Sequence, residues 1–146
     1  MRIVGFNFRR ISAEIKEDIK GKLEITSDIR IEDIEKEIVD IAGDVLKFSY
    51  IYTIKYNPNF AEIIFKGIVL VSMDKPDDLK NVLKEWKSKK IPEDIKIFVY
   101  NFIMSKCNIR ALQLEEDFIL PPHIPFPRLT KQSKPQSNPA QANYTG

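Results

Sequence analysis

The chain predicts an α+β fold: a four-stranded antiparallel sheet followed by a short helix and one long helix packed on one face. Three observations predict it. Apolar and polar residues alternate with a period of two through roughly the first half of the 146 residues, the signature of strands with one buried face. The spacing then changes to three and four residues, which gathers apolar side chains on one side of a helix. Finally, strands come first and helices second, an order that gives segregated layers rather than alternating β-α units. The length is a prior for one domain, expected over residues 1–129, with residues 130–146 as a disordered basic tail.

Residues 2–15 read as the first strand. Val4, Phe6 and Phe8 share a side, Arg9-Arg10 shifts the phase, and Ile11, Ala13 and Ile15 continue on odd positions; a one-residue bulge produces such a slip. Gly21 marks a turn, after which Leu23, Ile25, Ile29 and Ile31 alternate with Thr26, Asp28, Arg30 and Glu32. The next stretch is double-valued. Ile31, Ile34, Ile38 and Ile41 are spaced as on a helix, yet isoleucine-rich runs suit strands. Residues 33–42 are read as an irregular extension into a loop around Gly43-Asp44.

The clearest signal runs from Val45 to Ser72. Leu46, Phe48, Tyr50, Tyr52, Ile54 and Tyr56 fall on one face, Asn57-Pro58-Asn59 turns the chain, and Ala61, Ile63, Phe65, Val69 and Val71 form the apolar face of the return strand. Tyrosine hydroxyls need partners when buried, so some are expected where the sheet edge meets water or another chain.

Lys75 to Ser88 reads as the short helix, with Pro76, Asp77 and Asp78 in its first turn, a stripe of Leu79, Val82, Leu83 and Trp86, and lysines gathering toward its end. The long helix follows Pro92 with Glu93 and Asp94, and Ile95, Phe98, Val99, Phe102, Ile103, Cys107, Ala111, Leu114 and Phe118 recur at three- and four-residue steps. Glu115, Glu116 and Asp117 are read as a solvated face. From Leu120 to Leu129 four prolines forbid helix and hold the chain as an extended strap.

Composition narrows the function classes. Residues 128–146 hold three of the 23 basic side chains and none of the 21 acidic ones, so the net charge of +2 is +3 in the tail and −1 in the rest. A basic nucleic-acid face therefore loses its support. No apolar run has the length of a membrane span, and no basic-then-apolar leader pattern occurs, so a cytoplasmic protein without membrane insertion is expected. One cysteine, one histidine and five ungrouped glycines supply no metal pair, phosphate loop or catalytic constellation. Cys107 reads as a small core residue and His123 as part of the strap's cover. No enzyme activity and no cofactor are expected.

The element order resembles that of the SecB-like protein-export chaperones, in a distant, archaeal-type version. Ser27 to Tyr56 is similar to the family's second strand, connecting loop and long third strand, and Phe60 to Ser72 to its fourth. Ile97 to Ile103, continued by Leu112 and Leu114, is similar to its first long helix, and Leu120-Pro121-Pro122-His123-Ile124-Pro125-Phe126 to the apolar loop after that helix. The chain departs from the family in its basic end and in the helix inserted over residues 72–90, so an export role is set aside while the fold is retained. The resemblance implies a homo-oligomeric, ATP-independent holdase that binds unfolded polypeptides in apolar grooves. Leu120, Ile124 and Phe126 in the strap, with Phe6 and Phe8 on the first strand, are the expected client-binding residues. The alternative is a non-catalytic adaptor that pairs with one specific folded protein, for example an antitoxin-linked one.

Overall fold

The computed structural model describes residues 1–131. Four strands, β1 (Arg2–Ile15), β2 (Glu24–Val39), β3 (Gly43–Asn57) and β4 (Ala61–Ser72), precede two helices, α1 (Pro76–Trp86) and α2 (Glu93–Asp117). All neighbouring strands are antiparallel, in the order β1-β4-β3-β2. The two strands with the strongest alternation therefore sit in the centre, and β1 and β2 each leave one edge unpaired. Even positions of β3 and odd positions of β4 are buried. They form one continuous apolar face, onto which α2 packs over β4 while α1 rests against β2. The expected tail falls almost wholly on residues 132–146, outside those described.

β1 slips between Phe8 and Arg10, as the basic pair predicts. A second shift, between Ile3 and Gly5, was not foreseen. It places Ile3 opposite Val71 and Phe6 opposite Val69, so Ile3 rather than Val4 shares the covered side with Phe6 and Phe8.

Residues 33–42 are not an irregular extension. β2 continues to Val39 and turns back into β3 at Gly43, whose φ of 70° is a left-handed value that glycine adopts without steric cost. The helix-like spacing has a strand explanation. Glu32 is an extra residue between Ile31, opposite Tyr50, and Asp33, opposite Ser49. A bulge resets the alternation, so Ile31 and Ile34 are three apart in sequence yet both buried on the same side. Beyond them the hairpin outruns its cover, and Ile38 is 75% exposed.

α2 buries Ile95, Val99, Ile103, Cys107 and Ala111, one every fourth residue, and Glu115 occupies the next place in that row. Leu120 N–H donates to Glu115 O at 2.8 Å and Ile119 N–H to Glu116 O at 3.2 Å. This pair of bonds is the Schellman closure of a helix. Its left-handed position is filled by Ile119, at φ 55°, where glycine is the usual occupant.

Candidate functional site

The covered side of β1 is only half covered. Phe6 stacks on Tyr50 with ring centroids 5.7 Å apart, meets Phe102 of α2 edge-on at 5.5 Å, and meets Phe8 edge-on at 5.1 Å. Phe8 reaches Phe65 at 5.8 Å. Such offset and edge-on pairs are the favoured arrangements of ring quadrupoles. They tie β1 to the central strands and leave the outer side of both rings accessible, since both are only partly buried. Ile11 and Ile15 continue the row and are exposed, because α2 packs mainly over β4 and meets β1 at Phe6 through Phe102. The result is an apolar shelf along an unpaired strand edge.

The strap begins inside the molecule. Leu120 is 6% exposed and belongs to this chain's own core, so its side chain anchors the strap rather than presenting an open surface. Three residues on, His123 is fixed by a buried polar network. Its Nδ1 lies 2.7 Å from Glu115 Oε1 and its Nε2 lies 2.8 Å from Asn108 Oδ1. The Tyr52 hydroxyl donates to the same Asn108 oxygen at 2.8 Å. The Tyr56 hydroxyl points between Glu115 Oε2 and the Pro121 carbonyl, 2.8 Å from the latter. On either side of His123 the strap is exposed: Pro121 and Pro122 before it, and Ile124 at 36% and Phe126 at 57% after it. Of the five expected binding residues, Phe6 and Phe8 thus sit together on β1, Ile124 and Phe126 on the outer strap, and Leu120 at the strap's root.

Glu115 is the residue that the run of three acids concealed. It is 2% exposed, not part of a solvated face with Glu116 and Asp117. The signal that identifies it is the row of every fourth residue from Ile95, which reaches Glu115 directly. The tyrosines of β3 likewise find internal partners: Tyr52 and Tyr56 in the network, and Tyr50 toward Asn7 O at 3.5 Å.

Burial sets the electrostatics of the titratable side chains around the network. Burial raises Tyr56 above its ordinary range, reinforced by Glu115, and burial is also the main cause of the rise in Tyr50 and Tyr52. The Cys107 thiol, buried beside Tyr50, is pushed up to about 12 and stays a neutral packing group. Among the described residues no cluster of three His, Cys, Asp or Glu side chains could hold a metal ion. No described helix is long and apolar enough to cross a membrane. The arrangement offers an apolar, partly aromatic surface held by a rigid polar staple.

No protein-family model matches this sequence, and no curated protein matches it. Among solved structures, the chain is similar to a SecB-like chaperone of Mycobacterium tuberculosis in complex with a ChAD peptide from the HigA1 antitoxin, at 18% identity and a TM-score of 0.47, over 92% of each chain.

Proposed function

We propose that this protein is a SecB-like, ATP-independent polypeptide-binding chaperone that holds extended, unfolded segments against the β1 shelf and the outer strap. One observation carries the reading: Phe6, Phe8, Ile11 and Ile15 line an unpaired strand edge that α2 leaves open, while Ile124 and Phe126 project from a strap pinned by His123. Apolar burial contributes about 25 cal/mol per Å² whatever the client's sequence, and a free strand edge adds main-chain hydrogen bonds. Leu120 serves by holding the strap's root. A second copy covering part of the shelf gives a homo-oligomer, in which residues 1–129 act as one domain. The setting is cytoplasmic and the action non-enzymatic.

The test is suppression of aggregation of a chemically unfolded client, without nucleotide. Wild-type protein is expected to suppress it in proportion to its concentration; a protein that captures no unfolded polypeptide ends the proposal. The second reading, an adaptor for one folded partner, draws on the buried His123–Glu115 contact, because a preorganised strap suits one surface better than many. Co-purification of a single stoichiometric partner distinguishes it.

A further inference from the structure

A cleft of about 810 Å³ opens where the end of α1, the turn into α2 and the middle of β2 meet. Arg30 comes to it from β2, Lys89 and Lys90 from the turn, and Lys96 from the start of α2, with the rings of Trp86 and Tyr100 between them. Among the described residues none of these four cations makes an ion pair. Of the two carboxylates in the lining, Glu32 is turned toward Lys66 at 3.6 Å.

The cations are placed by local geometry. Lys89 N–H donates to Trp86 O at 2.8 Å and Lys90 N–H to Glu85 O at 3.2 Å, closing α1 with Lys89 at φ 58°. That left-handed turn folds the Lys89 ammonium back to 4.4 Å from the Trp86 ring centroid. The indole is itself held by its Nε1–H donating to Asp33 Oδ1 at 3.2 Å, just after the Glu32 bulge. Lys96 lies 5.5 Å from the Tyr100 ring centroid. Both ammonium groups therefore lie against ring faces lining the cleft, and their mutual repulsion is relieved by a negative ligand.

We propose that this cleft docks an acidic peptide segment of a protein partner, its carboxylates against Arg30, Lys89, Lys90 and Lys96 and an apolar side chain against Trp86 and Tyr100. The charges favour a peptide over a phosphate compound. They come from three elements and surround the cleft, matching several separated carboxylates rather than one compact anion. The N-terminus of α2, where a phosphate would gain most, already carries Glu93 and Asp94. The proposal uses β2 and the α1–α2 corner, so it stands or falls independently of the β1 shelf.

Trp86 is the sole tryptophan, so its fluorescence reads this cleft. Titration at low salt with a synthetic peptide of Asp, Glu and one Phe is expected to give a saturable change that weakens as salt rises. The Lys89→Glu/Lys90→Glu variant is expected to bind about tenfold more weakly. Lys20→Glu/Lys22→Glu, an equal change of net charge between β1 and β2, leaves binding intact. Lys89→Gly removes a cation and also relieves the left-handed backbone, so it lowers affinity while leaving thermal stability equal or higher. The proposal is overturned by an absent or unsaturable response, by equal weakening in the two charge-reversal variants, or by inorganic triphosphate binding more tightly than the peptide.

Discussion

Glu115 and His123 are 2% and 3% exposed in their side chains and lie 2.7 Å apart. A buried pair of this kind contributes little as a pair, but removing one member strands the other without water. His123→Ala is therefore expected to cost about 3 kcal/mol in urea denaturation. A variant within about 0.5 kcal/mol of wild type would contradict the staple. The buried tyrosines and Cys107 set the behaviour in alkali. In the unfolded chain they ionise near their ordinary values of 10.0 and 9.0, whereas the folded Cys107 keeps its proton to about 12. Above pH 9 the unfolded chain thus binds fewer protons, and stability falls as pH rises. It is full below that value, so the urea midpoint is expected to drop between about pH 9 and pH 12, and an unchanged midpoint would refute the assignment. His123 could be read from the sequence as part of the cover. Its partners Asn108 and Glu115, seven residues apart on α2, could not, because only the returning strap brings a histidine between them.

At the scale of elements, bulges and closures decide which side chains face the core. Gly67 of β4 lies opposite Phe8 and Tyr50, and a Cβ there would stand 2.0 Å from Asn7 O and 2.7 Å from the Tyr50 hydroxyl oxygen. Gly67→Ala must therefore push β1 off β4, and a loss above about 2 kcal/mol is expected, with the Phe6–Tyr50 stack disturbed in near-ultraviolet circular dichroism. Ile119 presents the opposite case. It is 90% exposed at φ 55°, so Ile119→Gly removes strain and is expected to raise stability by about 1 kcal/mol. A fall would mean that its side chain packs on something in solution. The alternation of β3 and β4 was plain in the sequence because both strands are straight and one-sided. β2 beyond Ile31 was not, because one extra residue converts a period of two into an apparent spacing of three.

For the molecule as a whole, the question is how much apolar surface one copy hides. The central strands are sealed by α2, whereas the β1 row and the outer strap are not. Ile124→Ser/Phe126→Ser is expected to keep the thermal midpoint, since both side chains are largely outside the core, while lowering client protection. Retained protection would remove the strap from the binding surface. Light scattering is expected to give more than one copy per particle, with dye-accessible apolar surface remaining. A clean monomer that binds no such dye would mean that the shelf is closed in solution.

The sequence alone determined the layering: four strands with a strongly alternating hairpin, a short and a long helix, and a proline strap that no helix could enter. Each of these follows from local periodicity or from proline's missing N–H, which need no knowledge of distant residues. Tertiary structure alone decided the strand order, the open edge of β1, the meeting of His123 with Glu115 and the gathering of four cations along the Trp86 cleft. Those depend on which segments meet in space, and pairwise charges and hydrogen bonds between residues tens of positions apart leave no periodic trace along the chain.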